Sequence, residues 1–332
     1  MTLPRIAVTM GDPAGVGPEI CLRLLANAEI ARECVPIVFG DAEMLRRVSE
    51  KSGVPFTAPI ISASDWPKVC SDASVPSVLD LECVDAGAVM PGKVSAICGD
   101  SAVRCVFASI EAGLKGEVDA VSTAPLNKEA MRAAGHKYPG HTEIFAERMN
   151  AARVCMAFFS EELVCSLVTV HVGYQEVPAE LNLQRILDVI ELTGGALCQL
   201  RGRTPRLAVL GLNPHAGEHG LFGRGEEERI ISPAIAAARA AGWDVTGPLP
   251  PDTAFTPARR REFDGFICMY HDQALIPVKA LAFDTAVNTT LGLPVTRTSV
   301  DHGTAFDIAW QGKANPRSLY AAVRLAAKLA DK

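Results

Sequence analysis

Seven histidines occur in this 332-residue chain, at positions 136, 141, 171, 215, 219, 271 and 302, and three of them share one local setting. His171 follows the apolar, β-branched run 163–170. His215 follows the run 207–212 by way of Asn213 and Pro214, and His271 follows 265–270. Each run reads as a strand, so each imidazole stands just beyond a strand's C-terminal end. In open parallel sheets those ends converge on the ligand crevice. A single histidine in such a place is more often a hydrogen-bonded loop residue, but three in one register point to a divalent metal. Three neutral nitrogens favour Zn, Co, Mn or Ni, and substrate oxygens completing the shell make Mg acceptable. No HExxH pair and no histidine–cysteine cluster occurs, which argues against a zinc protease or finger. A metal with an open position either binds a substrate hydroxyl and carboxylate or activates water, and the histidines alone do not choose.

Other residues offer to hold an anion. Lys279, Asn288 and Arg297 recur at intervals of nine among leucine, isoleucine, valine and proline. Partial burial of such cations calls for a phosphate or carboxylate partner. His141 and Thr142 open a helix after Tyr138-Pro139-Gly140, a second place for an anion, with Thr142 also readable as a helix cap. The run Gly11-Asp12-Pro13-Ala14-Gly15-Val16-Gly17-Pro18-Glu19 is neither a dinucleotide fingerprint nor a P-loop. It reads as a tight strand–helix turn that a ligand can approach.

The elements that position these residues alternate between strand and helix. Strands are expected at 5–10, 35–39, 118–122, 163–170, 207–212 and 265–270. Helices are expected at 41–51, 102–114, 143–151, 183–200, 226–241 and 316–330. That alternation implies an α/β fold with a mostly parallel sheet, in two lobes. Hydrophobic residues make up 48% of the chain and charged residues 21%, the balance of a globular protein. A net charge of -6 argues against nucleic acid as a partner. No apolar run is long enough to span a membrane, and the start of the chain lacks a secretory pattern. The ten cysteines form no CxxC pair and lie mostly in apolar segments, so they read as reduced core residues of a cytoplasmic protein.

Taken together, several segments resemble the 4-hydroxythreonine-4-phosphate dehydrogenase family. They are 11–19, Thr123–Lys128, Gly140-His141-Thr142-Glu143, Leu212–Glu218, Tyr270–Gln273 and Arg297–Thr304. The segment His302–Pro316 also looks like the adenine-binding loop of isopropylmalate and isocitrate dehydrogenases. The resemblance runs nearly end to end. It implies their two-lobed fold, with a nucleotide-binding lobe at about 1–130 plus 285–332 and a metal, substrate and dimerisation lobe at 131–284. It makes His171, His215 and His271 the metal ligands, shared across a homodimer interface. It makes His141, Thr142, Lys279, Asn288 and Arg297 substrate contacts, and gives Gly11, Asp12, His302, Gly303, Thr304 and Asp307 to the cofactor. Asp252 matches a position close to the substrate. The reaction implied is oxidation of a small phosphorylated hydroxy acid by NAD, followed by loss of carbon dioxide. NADP remains open, with a mild preference for NAD because no arginine cluster awaits a 2′-phosphate. Lys128, Asp252 and Lys279 are candidates for the proton acceptor.

Asn127-Lys128 and Lys137-Tyr138-Pro139 look more like the catabolic branch of the family. That branch includes phospho-threonate and phospho-erythronate dehydrogenases and the cis-dihydrodiol dehydrogenases of terephthalate breakdown. The expected substrate is therefore 4-phospho-D-threonate, 4-phospho-D-erythronate or 4-phosphohydroxy-L-threonine. A dihydrodiol dicarboxylate is the alternative, and a three-histidine metallohydrolase is the alternative from another class.

Overall fold

The structure, a computed structural model, describes residues 3–330. Twelve strands are seen among them: β1 (Arg5–Thr9), β2 (Val35–Gly40), β3 (Ile60–Ser62), β4 (Ser77–Asp80), β5 (Ala120–Thr123), β6 (Cys155–Phe159), β7 (Val164–Leu167), β8 (Arg206–Leu210), β9 (Asp244–Leu249), β10 (Gly265–Cys268), β11 (Val287–Leu291) and β12 (Thr296–Ser299). The chain divides into two compact units. One holds the residues up to Ala151 together with those from Leu293 onward, and the other is Ala152–Gly292.

In the first unit the strands lie in the order β3-β4-β2-β1-β5-β12, and each pairing is parallel. A parallel sheet must be covered on both faces. Alternation along β1 meets that need. Ile6 and Val8 join one core with Ile20, Leu24, Leu319 and Val323. Ala7 faces the other core, with Ile37, Val103, Val106, Ile144 and Phe145. Three helices of this unit, Ala42–Ser52, Ala96–Leu114 and Lys128–Ala133, start where a side chain satisfies a free N–H. Asp41 accepts from Met44, Ser95 from Cys98 and Asn127 from Ala130. The chain runs outward from β1 and then returns to β5 on β1's other side, so the strand order reverses between them. Such a reversal opens a crevice at the C-terminal strand ends, here beside Gly11–Asp12 and Ala124–Pro125.

The second unit has the order β11-β6-β7-β10-β8-β9. β11, β6 and β7 are antiparallel neighbours, whereas β7, β10, β8 and β9 run parallel. Phe158, Cys165, Leu167, Ala208, Leu210, Phe266 and Cys268 fill its core. β7 stops at Leu167 rather than at residue 170, although Val168 and Thr169 still donate to the carbonyls of Cys268 and Met269.

The boundaries between units fall at 151/152 and 292/293. Met131, Ile144, Phe145 and Met149 are buried in a core of the first unit, which carries 131–151 with it. β11 pairs with β6, which ties 287–291 to the second. The fold class expected from the alternation, α/β with mostly parallel sheets, is the one observed. Among the described residues no helix is long and apolar enough to cross a membrane, and all ten cysteines are free thiols.

Candidate functional site

The first unit assembles a cationic pocket. β12 brings in Arg297, only 2% exposed, and its Nη2 donates to Thr123 Oγ1 at 2.7 Å. Its guanidinium lies 5.7 Å from the Phe145 ring centroid. Burial pushes the Arg297 pKa down to about 9, against the charge of Glu143, which supports the cation. The helix His141–Arg148 begins at His141, with Gly140 in the capping position and no side-chain cap bond. Thr142 is thus one residue inside the helix, and the capping reading of it does not hold: extended Gly140 occupies that place. The Nε2 of His141 is buried and has no hydrogen-bond partner. Burial, then the charges of Arg297 and Lys128, hold the His141 pKa well below the ordinary imidazole value. The ring is therefore neutral and offers one donor and one acceptor rather than a third positive charge. Lys128 is exposed at the start of the helix Lys128–Ala133.

Next to this pocket in the chain's first crevice lies the loop 11–17. Gly11 has φ +75°, and a Cβ there would stand 2.4 Å from the Pro125 carbonyl oxygen, so only glycine fits. The loop is bonded to the segment 302–310: Val16 N–H donates to Thr304 O, and Trp310 Nε1 donates to Pro13 O. These bonds bring Gly11, Asp12 and Thr304 into one region with His302, Gly303 and Asp307, which are exposed. Asp12 is fully buried. Its Oδ1 accepts from Ala14 N–H at 2.8 Å, while Oδ2 has no partner. Burial raises its pKa to about 6, opposed by the Ala14 bond. An orphaned buried carboxyl beside an open glycine-bearing rim is a feature a polar cofactor group could complete.

In the second unit the strands preceding the three histidines are neighbours, β7 beside β10 beside β8. His171 and His271 come together with ring centroids 5.8 Å apart. His271 Nδ1 is 2.7 Å from Asp272 Oδ1, and the Tyr174 hydroxyl donates to Asp272 Oδ2 at 2.6 Å. These two bonds, Tyr174's first, hold the Asp272 pKa below its usual value. A carboxylate on Nδ1 leaves Nε2 to meet a ligand, the usual arrangement behind a metal-bound imidazole.

His215 stands on a different kind of support. Residues 215–220 all have positive φ, at 53, 51, 80, 45, 57 and 85°. Four of them are not glycine, and each such residue costs on the order of 1 kcal/mol or more. Two buried carboxylates oppose that cost. Glu227 Oε1 accepts from the N–H groups of Leu212 and Asn213, and its carboxylate also takes the Asn213 Nδ2 donor. Glu226 Oε2 accepts from Arg224 N–H and from Asn213 Nδ2.

The remaining expected residues are spread over both units. Lys279 is half-buried on the helix His271–Ala282, with Nζ 5.0 Å from the Phe283 ring. Asn288 lies on β11, and its Oδ1 is buried without a partner. Asp252 is exposed on the single turn Pro251–Ala254. The donor set of three imidazoles suits a borderline divalent ion. Among the described residues of one chain, however, no three histidine, cysteine or carboxylate side chains gather closely enough to hold a metal. One chain brings the His171–His271 pair together and leaves His215 apart on its own loop. Thr123, Asp272, Tyr174, Glu226 and Glu227 were not singled out as site residues from the sequence. A hydroxyl or a carboxylate near a motif carries no signal of its direction until the fold gives it one.

Comparison with known proteins decides the family. Residues 32–326 match the model of the pyridoxal phosphate biosynthetic protein PdxA family. The chain belongs to this family. It is 44% identical over 329 residues to the 4-hydroxythreonine-4-phosphate dehydrogenase of Geobacter metallireducens, covering 99% of this chain and 96% of that one. It is also 44% identical over 325 residues to the D-threonate 4-phosphate dehydrogenase of Pectobacterium atrosepticum, covering 98% and 99%. Among solved structures, the 4-hydroxythreonine-4-phosphate dehydrogenase of Klebsiella pneumoniae superposes with a TM-score of 0.88 at 44% identity, covering 99% of each chain. Relatives with both substrate names thus stand equally near this PdxA-family member.

Proposed function

We propose that this PdxA-family protein is a metal-dependent, NAD-linked dehydrogenase acting on the CH–OH of a small phosphorylated hydroxy acid. 4-Phospho-D-threonate, 4-phospho-D-erythronate and 4-phosphohydroxy-L-threonine are its substrate class. The observation that carries this reading is buried Arg297, bonded to Thr123 and close in charge to His141 and Lys128. A buried guanidinium and a neutral imidazole whose buried Nε2 has no partner offer an anion one charged and one uncharged donor.

His141, Thr142 and Arg297, with Lys279 and Asn288, would grip the phosphate and carboxylate groups and fix the reacting carbon. The hydroxyl proton passes to one of Lys128, Asp252 or Lys279. The hydride leaves the same carbon, giving a ketone and, where a carboxylate is β to it, release of carbon dioxide and protonation of the remaining carbon. NAD, or NADP, when held by Gly11, Asp12, His302, Gly303, Thr304 and Asp307, supplies the hydride acceptor. A divalent ion held by His171, His215 and His271 of two subunits supplies the Lewis acidity that stabilises developing negative charge on oxygen. Exposed Val172, Leu221, Phe222, Ile276 and Phe283 follow the three histidines closely in the chain, and a second copy in a cytoplasmic homodimer would cover them.

The dihydrodiol alternative would place a carboxylate where this reading has phosphate. Relatives named for phosphorylated acids favour phosphate. A metallohydrolase would leave the loop pair 11–17 and 302–310 without a use. The test is nicotinamide reduction by metal-stripped and metal-restored protein with each of the three phosphorylated acids and a terephthalate dihydrodiol. Metal-dependent reduction with a phosphorylated acid is expected. Turnover of the dihydrodiol alone would overturn the phosphate assignment, and no reduction with any of the four would return the hydrolase.

A further inference from the structure

The segment 213–220 is the most contorted stretch of the second unit, and its support is built from groups that no part of the proposed reaction uses. We propose that Glu227 is a positioning residue that holds this loop in the shape presenting His215, an inference that rests on His215 serving the metal site. Glu227 is 1% exposed and Glu226 is 4% exposed, although the run Gly225–Arg229 would suit a solvated helix start.

One oxygen of Glu227 receives two consecutive backbone donors, Leu212 N–H at 2.9 Å and Asn213 N–H at 2.8 Å. Its other oxygen takes the Asn213 side-chain amide at 3.0 Å. Three donors thus converge on a single buried carboxylate immediately before Pro214 and His215. The far side of the loop closes on the same group: Gly217 has φ +80°, and a Cβ there would lie 2.7 Å from Glu227 Oε2. The loop consequently cannot relax toward ordinary backbone angles without displacing Glu227 or abandoning its bonds. Glu226 adds a second acceptor for Asn213 and ties down Arg224 N–H at 2.7 Å. Glu227 also opens a π-helical turn, Glu227–Ile231, an irregularity that recurs where a helix is bent to serve a site. Glu227 does not touch metal, substrate or cofactor in this reading. It acts through the loop.

The test compares Glu227→Gln and Asn213→Ala with His215→Ala and the unaltered protein, using backbone hydrogen exchange and titration with cobalt(II) followed by its visible absorption. Glu227→Gln places an amide donor where Asn213 donates, so exchange at Leu212, Asn213 and 215–220 should accelerate while exchange in β8 and β10 stays as it was. Cobalt affinity should fall about 10-fold or more, the scale of losing a group that orients a ligand. Asn213→Ala keeps the two backbone bonds and should move both readouts in the same direction but less, and it carries the test if Glu227→Gln fails to fold. Unchanged protection of Leu212 and Asn213 overturns the proposal. So does a loosened loop with unchanged cobalt affinity where His215→Ala weakens it. Should His215→Ala bind cobalt as the unaltered protein does, the three-histidine reading falls, and the claim that Glu227 serves a metal site falls with it.

Discussion

The cationic pocket of the first unit and the histidine set of the second are built on opposite principles. Arg297 is 2% exposed, bonded to Thr123 and packed near Phe145, and one chain holds the group together. The His215 side chain is 65% exposed and that of His271 is 40% exposed, and one chain pairs only His171 with His271. Burial before the ligand arrives means that folding has already met the desolvation cost, leaving binding energy for orientation. Open imidazoles wait for further groups to exclude water. On the proposed reading, anion recognition would belong to the single chain, whereas metal binding would depend on assembly.

The largest expected effect separates those two dependences. Removing divalent ions with a chelator should abolish turnover, and Zn, Co, Mn, Ni or Mg should restore it to differing degrees. Binding of inorganic phosphate by the stripped protein, measured by calorimetry, should persist. Diluting the protein until it dissociates should act as the chelator does, lowering metal content without touching phosphate affinity. Loss of phosphate binding on stripping would merge the two sites and break the comparison.

Arg297 comes next. Arg297→Ala should reduce kcat/KM by a factor corresponding to about 2–5 kcal/mol, the range for truncating one partner of a buried charged pair. Arg297→Lys should recover little, because an ammonium lacks the planar fork. The same residue should also support the fold. With no ligand present, Arg297→Met removes the bond to Thr123 and the cation that faces the charge of Glu143, so the melting temperature should fall. A rise would mean that the desolvation of the guanidinium outweighs those contacts.

Much of this contrast was legible in the sequence, and the illegible part has a physical cause. β-branched runs marked β7, β8 and β10, so the strand-end histidines could be found by their register alone. β9, β11 and β12 escaped because Asp244-Val-Thr-Gly-Pro-Leu249, Val287-Asn-Thr-Thr-Leu291 and Thr296-Arg-Thr-Ser299 mix polar residues with strand formers. Thr298 in β12 is buried only because the fold supplies a partner, its hydroxyl donating to Ala322 O. Glu226 and Glu227 escaped for the same reason. In a Glu-Glu-Glu-Arg run, side-chain direction is set by tertiary contacts, not by composition. Arg297 stood out among apolar neighbours, but its bond to Thr123 spans 174 residues, and nothing local records it.

A smaller effect should come from Asp12, the buried carboxyl of the first unit. Its folded pKa, about 6, exceeds the ordinary 3.8, so the folded state favours the protonated form. For a carboxyl shifted in this direction, the stabilising contribution is present below pH 4 and is lost as pH rises from about 4 to 6. A shift of about two units corresponds to roughly 3 kcal/mol. Asp12→Asn keeps an acceptor for Ala14 N–H and removes the titration. The variant should match the parent near pH 4 and be the more stable at pH 8, by thermal unfolding across that range. A constant difference at every pH would show that Asp12 already has a charge partner.

The smallest expected effect lies in the exposed set. Tyr174 donates to Asp272, which in turn bonds His271, so the hydroxyl steadies the ring at one remove. Tyr174→Phe deletes that bond, worth about 0.5–1.5 kcal/mol when net of water, and preserves the edge contact with Tyr270. Because Tyr174 is 66% exposed, water can replace the lost donor, and the lower end of the range is the appropriate expectation for the isolated chain. In an assembled dimer that covers this surface, water would be excluded and the upper end would apply. Metal affinity of Tyr174→Phe should therefore fall only slightly at high protein dilution and several-fold more where the protein is associated. Equal losses at both concentrations would mean that the histidine set stays open to solvent in the assembly, and the contrast with the Arg297 pocket would then be one of exposure alone.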